Sequence, residues 1–138
     1  TPWIVHIIDT QPVGLIGQPR SDRYQQPLEV LLQREPLIVP SPESTIRTGF
    51  DALVHRLGIR PRIVAEIDDM AMMRLVAREH NGLAVIPPIV VTDELRSGML
   101  VEYAELPELV ETFCAITMPR RFPNPLLRLV LPGHTTPE

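Results

Sequence analysis

Ser41-Pro42-Glu43-Ser44-Thr45 is the segment whose residue types best suit a small polar ligand. Three hydroxyls and the unpaired N–H groups of a helix start gather there, and such a start suits a carboxylate or another small anion. Glu43 opposes that use, because its charge weakens an anion site. Simple capping is the competing account, since Ser41 or Ser44 is explained once it accepts one backbone N–H. Asp68 and Asp69 pose the same choice. Adjacent carboxylates could hold a cation or act as acid and base. They also cap a helix and complement its dipole, and neighbouring residues on a chain point apart. The third candidate is the turn Ile86-Pro87-Pro88, where an apolar run stops.

Signatures of catalysis are missing: no Gly-rich phosphate loop, no dinucleotide-binding glycine fingerprint and no nucleophile elbow. His6, His55, His80 and His134 are far apart, and none stands at metal-site spacing with another ligand. Each reads as a surface or helix-end histidine. Cys114, the single cysteine, lies in an apolar run and reads as an inert buried thiol. Met70, Met72 and Met73 read as core filler. These observations predict no enzyme, no cofactor and no metal centre.

Charge narrows the partners. Thirteen basic and seventeen acidic side chains give a formal net charge of −4, and the nearest thing to a basic field is the pair Arg120-Arg121. Nucleic-acid binding needs a concentrated positive surface, so DNA contact is expected only through a module outside this chain. No apolar run reaches membrane-spanning length and Thr1-Pro2-Trp3 does not read as an export leader. With one cysteine, the reading is a cytoplasmic protein with no membrane partner.

The elements that would carry the candidate residues follow from periodicity and punctuation. Hydrophobic residues make up 44% of 138, enough for a core, and sixteen prolines mark the joints. Trp3–Ile8 and Val13–Ile16 read as strands separated by Gln11-Pro12. Pro27 reads as the first residue of a helix over 28–34, followed by a strand at 37–39. Ile46, Phe50, Leu53, Val54 and Leu57 fall on one helical face, which Gly58 closes. That stripe could be core or a subunit contact. A strand at 62–66 leads to a helix from Met70 to about Glu79 with a narrow polar face, expected to be mostly buried. Further strands are predicted at 83–86, 99–103 and 112–117, with a helix near 89–96 and a last one begun by Asn124-Pro125. Strands alternating with helices predict an α/β fold, a mostly parallel sheet with flanking helices. Its ligand would sit at the carboxyl ends of strands, beside helix starts.

Taken in order, five stretches resemble one family: Glu35–Ser44, Gly58–Glu66, Asp68–Ala77, Gly82–Pro88 and Asp93–Val101. They are similar to the C-terminal effector domain of LysR-type transcription regulators, over roughly residues 28–131, with the details nearest the branch of the sodium/proton antiporter activator. The resemblance implies a periplasmic-binding-protein-like fold of type 2, two α/β lobes around an inducer cleft. It further implies that Val13–Ile16 and Phe113–Thr117 are the crossings between lobes. Residues 1–19 would be a first-lobe remnant and hinge strand, 20–111 the second lobe, and 112–138 the return strand and a first-lobe helix remnant. Ser41, Ser44, Thr45, Asp68, Asp69 and Pro87 would face a small-molecule or ion inducer. Self-association through the helix at 45–57, against a first-lobe helix of another copy, is also implied. Glu43 stands where that family usually has glycine, which weakens the case for a simple carboxylate inducer. A transport-type solute-binding protein, which shares the fold, is the alternative.

Overall fold

The computed structural model describes residues 4–117. These divide into two compact units, one holding 4–11 and 111–117, the other 12–110. What is described of the first consists of the outer ends of two long strands, β1 (Ile4–Gly17) and β5 (Val101–Thr117). The second holds the rest: α1 (Leu28–Arg34), β2 (Pro36–Pro40), α2 (Thr45–Leu57), β3 (Arg62–Ile67), α3 (Met70–Glu79), β4 (Leu83–Ile86) and α4 (Thr92–Ser97). Single 3-10 turns occupy Ser21–Arg23 and Pro88–Val91.

One sheet of five strands runs in the order β3-β2-β4-β1-β5. β2 lies parallel to both β3 and β4, whereas β1 is antiparallel to β4. The sheet is therefore mixed, as a type 2 periplasmic-binding-protein-like lobe requires, with helices on both faces. On one face Phe50, Ile46, Leu53 and Val54 of α2 and Leu31 and Leu32 of α1 cover Leu37, Val39, Leu83 and Val85. On the other, Met73 and Ala77 of α3, with Val91 and Leu100, cover Ile38, Ala84 and Ile86. β2 and β4 are buried along almost their whole length because both faces are covered. The apolar stripe of α2 is thus core, with only Leu57 exposed.

Two glycines are required by geometry. Gly58 takes φ 68° and closes α2 as a left-handed cap. A Cβ on Gly82 would lie 2.5 Å from the Pro36 carbonyl oxygen, so β4 enters beside β2 only without a side chain there.

Several expectations need correction. The two N-terminal strands are one, β1, running through Pro12, and those at 99–103 and 112–117 are also one, β5. Proline is an extended-backbone residue that lacks only a donor, so it need not end a strand. Pro27 is the N-cap of α1 and not its first residue. The helix near 89–96 is a 3-10 turn followed by the short α4. Most of α3 is not buried: only Met73 and Ala77 are, while Met72 is 48% and Leu75 52% exposed. Three methionines in four positions wrap around a helix, so they cannot all face the sheet. The helix expected from Asn124 lies outside the described residues.

Before β2 the chain is fastened by a buried charge cluster. Glu35 and Arg23 are both almost fully buried. Arg23 Nε donates to Glu35 Oε1 at 3.0 Å, Arg20 Nη1 reaches the same oxygen at 3.4 Å, and Arg34 Nε donates to Oε2 at 2.9 Å. The remaining Arg23 donors go to the carbonyls of Gln18 and Asn81. Tyr103 of β5 joins by donating its hydroxyl proton to Gln18 O at 2.7 Å, and its ring lies under the Arg23 guanidinium. Breaking such a buried pair costs about 3–5 kcal/mol, because one charge is left uncompensated. Glu35→Ala is expected to lose that much in urea unfolding. Replacing both partners by Arg23→Met and Glu35→Leu should cost much less than the two single losses combined. A loss below about 1 kcal/mol for Glu35→Ala, in the range of an exposed ion pair, would contradict this account.

Candidate functional site

Strand register decides which candidate residues meet. Pro40, the last residue of β2, is the partner of Ile67, the last of β3. One residue further, Ser41 N–H donates to Ile67 O at 3.1 Å. The start of the Ser41–Thr45 segment is therefore tied directly to the residue before Asp68-Asp69. On its other side β2 pairs with β4, Leu37 with Leu83 and Ile38 with Ala84, and continuing that register sets Pro40 beside Ile86. Ser41, Ser44 and Thr45, then Asp68 and Asp69, then Pro87 all follow the carboxyl ends of three adjacent parallel strands. The register brings the three segments to one edge of the sheet.

The capping account holds for two of them. Ser44 is the N-cap of α2, and its Oγ accepts Ile46 N–H at 3.1 Å. Asp69 is the N-cap of α3, and its Oδ1 accepts Ala71 N–H at 2.9 Å. Thr45, Glu43 and Asp68 are exposed, Ser41 is half-buried and Pro87 is buried. Glu43 is held below the usual carboxylate range, by a hydrogen bond from its own backbone and then by the Ser41 hydroxyl. It is therefore a fixed negative charge at this edge near neutral pH, beside Asp68 and Asp69.

Arg47 was not predicted for this place. From the first turn of α2 it donates to the Pro40 carbonyl at 3.1 Å, to Glu66 Oε2 at 2.6 Å and to Asp51 Oδ1 at 2.9 Å. It clamps the helix start onto the ends of β2 and β3, with its positive charge spent on two carboxylates. The spacing of Arg47 and Asp51, four residues apart on a helix, was the available signal; the contact with Glu66 depends on the sheet.

A second feature lies on the α3 face. Met70, Ala71, Arg74, Leu75, Arg78 and Val90 line an open groove of about 470 Å³, which includes none of the predicted site residues. Beside it is Glu94, only 3% exposed. Its Oε2 accepts Arg74 Nε at 2.8 Å and lies 3.8 Å from Arg78, while Oε1 is buried with no hydrogen-bond partner among the described residues. Among those residues no cluster of His, Cys, Asp or Glu could hold a metal ion. His55 is exposed at the end of α2, and His80 Nδ1 accepts Gly82 N–H at 2.8 Å. The side chains of His6 and Cys114, and all of His134, lie outside the description. No described helix is long and apolar enough to cross a membrane.

A mixed sheet in which β1 runs antiparallel to its neighbour β4, with helices on both faces and helix starts gathered at one edge, defines a binding lobe of the periplasmic-binding-protein-like class. The family model described as the LysR substrate binding domain matches residues 10–131, and the chain belongs to that family. Over 106 residues it is 23% identical to the transcriptional activator protein NhaR of Escherichia coli strain K12, a match covering 77% of this chain and 35% of the relative. The chain thus spans about a third of the length of that relative. Among solved structures, the apo regulatory domain of HypT from Salmonella typhimurium superposes with a TM-score of 0.69 at 16% identity, covering 94% of this chain and 62% of that one. The regulatory domain of CcmR from Synechocystis PCC6803, solved in complex with 2-PG, gives 0.66 at 14% identity, covering 92% and 62%. These likenesses establish the fold.

The buried carboxylate makes a pH prediction. Burial pushes the Glu94 carboxyl up, but the Arg74 hydrogen bond, a backbone hydrogen bond and the charges of Arg74 and Arg78 outweigh it and hold it below its ordinary value. A carboxyl lowered on folding stabilises the native state above its unfolded pKa, and that contribution is lost as pH falls through the folded value. Glu94→Gln should therefore remove part of the acid limb of a stability–pH profile while keeping the fold. Superimposable acid limbs for parent and variant would contradict it.

Proposed function

We propose that this chain is an effector-sensing and oligomerisation region of a bacterial LysR-type transcription regulator, and that it carries out no catalysis. The observation that carries this reading is the meeting of the Ser41–Thr45, Asp68-Asp69 and Pro87 segments at the carboxyl edge of three parallel strands in a chain of this family. Ligands in open α/β sheets bind outside that edge, next to helix starts. Thr45 and Arg47 N–H, which have no acceptor within the helix, are the donors offered there, while the Ser41 hydroxyl donates to Glu43 and offers only its oxygen. Ser44 and Asp69 act by holding the two helix starts in place. Glu43, Asp68 and Asp69 make the edge acidic, which favours a neutral or cationic small molecule, or an ion, over a simple carboxylate.

In this reading residues 20–111 form the second effector-binding lobe, and 1–19 and 112–138 supply hinge strands and part of the first lobe. The compact unit at 12–110 supports that assignment. The protein works in the cytoplasm, and its DNA reader is a domain outside this chain. Self-association runs through the outer side of α2 and the neighbouring edge of the sheet. The buried stripe of α2 cannot serve, but Leu57 and Val64 are exposed and β3 is the last strand of the sheet, with one edge unpaired.

The test is a thermal-shift screen of this chain against small organic acids, amino acids, polyamines and alkali cations. A true effector raises the melting temperature in proportion to its occupancy of the folded state. Thr45→Arg and Ser41→Trp, which fill the edge from exposed or half-buried positions, should abolish that shift without lowering the starting melting temperature by more than a few degrees. A ligand whose shift survives both substitutions would place the effector elsewhere.

A further inference from the structure

The charges of this lobe are segregated along the strand direction. Glu43, Asp68 and Asp69 stand at the carboxyl edge of the parallel strands, whereas the stretch from the end of α2 into β3, at the amino edge, is rich in arginine. Between Asp51 and Glu66 the sequence has no acidic residue and carries His55, Arg56, Arg60 and Arg62, all exposed. Arg62, the first residue of β3, is the partner of Pro36, the first of β2. Arg34, part-exposed in the last turn of α1, stands two residues before Pro36, and α1 packs beside β3. The neighbouring buried cluster adds to the imbalance, since Arg20, Arg23 and Arg34 face only Glu35 and Asp22.

Structural duty accounts for part of this set. Arg34 and Arg56 lie in the last turns of helices, where cations complement the dipole. Arg23 and Arg34 hold Glu35. It does not account for Arg60 and Arg62, which follow the end of α2 and make no ion pair among the described residues. Pro61 between them forces Arg60 into extended backbone. Residues i and i+2 of an extended segment point the same way, about 7 Å apart. One stiff tripeptide thus presents two guanidinium groups in a row, and guanidinium is the cation best matched to phosphate oxygens.

We propose that the amino edge of this lobe, centred on Arg60 and Arg62 with Arg56 beside them, docks on the phosphodiester backbone of duplex DNA. The contact is independent of sequence and separate from the effector edge, which lies at the other end of the strands. DNA is favoured over an acidic protein because the row of cations matches a regular row of phosphates, and because DarR of Vibrio fischeri, a structural neighbour at a TM-score of 0.64, was solved in complex with DNA. Such a contact would add affinity next to the site read by the DNA-binding domain. It also revises the expectation from the net charge, because a chain of −4 overall can still carry a local positive edge.

Fluorescence anisotropy with a labelled duplex of arbitrary sequence tests this on the present chain, with circular dichroism as the folding control. Binding is expected at low salt, with log K falling against log salt at a slope of about −3, as three phosphate contacts give. The double variant Arg60→Glu, Arg62→Glu should weaken binding at least tenfold and reduce the slope by about 2, while Arg96→Glu, on α4, should leave both unchanged. No binding at low salt, or equal binding by the double variant, would overturn the proposal. Polyglutamate held in an Arg60- and Arg62-dependent way, with duplex DNA not held, would also overturn it and assign the edge to an acidic protein.

Discussion

Glu35 is a carboxylate removed almost entirely from water, and its position is tolerable only because three arginines approach it. Desolvating a charge costs several kcal/mol unless its lone pairs are all engaged. Here the partners come from the loop after β1 (Arg20), from the 3-10 turn (Arg23) and from the end of α1 (Arg34), and Arg23 also takes up the carbonyls of Gln18 and Asn81. The cluster thus joins the end of β1, the entry to β2 and the entry to β4 in one network. The last two are the amino ends of strands whose carboxyl ends carry the candidate effector edge. Alignment of β2 and β4 at one end fixes their register at the other, so a polar network far from the candidate edge helps to set which loops share it.

Energetically the two edges are built differently. At the amino edge the Glu35 cluster is buried, paired and structural, and Arg60 and Arg62 stand exposed outside it. At the carboxyl edge they are exposed, and only Arg47 is strongly fixed there, holding the start of α2 to Pro40 and Glu66. A rigid base under an open edge suits a binding lobe: polar groups facing a ligand must remain unspent, while the strands presenting them must not slide. The hydrogen bond from Ser41 N–H to Ile67 O extends the β2–β3 ladder into the loop, so that even this edge is fixed in its first residue.

Much of this was legible in the sequence, for identifiable reasons. α1, α3 and β4 end where predicted because proline, glycine and capping residues act locally. Gly58 was readable as a left-handed cap for the same reason. The merging of strand pairs into β1 and β5 was not, since proline within a strand is permitted or excluded by which neighbour needs its N–H, and that is a property of the sheet. The exposure of Met72 and Leu75 was missed because apolar composition was allowed to outweigh helical spacing. Of the candidate edge, the carboxyl-end rule and the resemblance identified the segments. They could not show that Ser44 and Asp69 spend their oxygens on caps, nor find Arg47, whose partners on β2 and β3 are set by tertiary packing. The buried roles of Arg23 and Glu35 were likewise invisible, because charged residues in a loop ordinarily read as surface.

Effector binding is proposed at the carboxyl edge of β2, β3 and β4. Amide chemical-shift mapping tests it most directly: a ¹⁵N-labelled sample of this chain titrated with the compound that gives the largest thermal shift in the screen. The strongest perturbations are expected on Ser41, Ser44–Arg47, Asp68–Ala71 and Ile86, with the amides of Arg23, Glu35 and Arg62 at the opposite edge unmoved. Perturbations concentrated on Arg74–Arg78 and Val90, along the groove on α3, with Ser41–Arg47 unmoved, would contradict it.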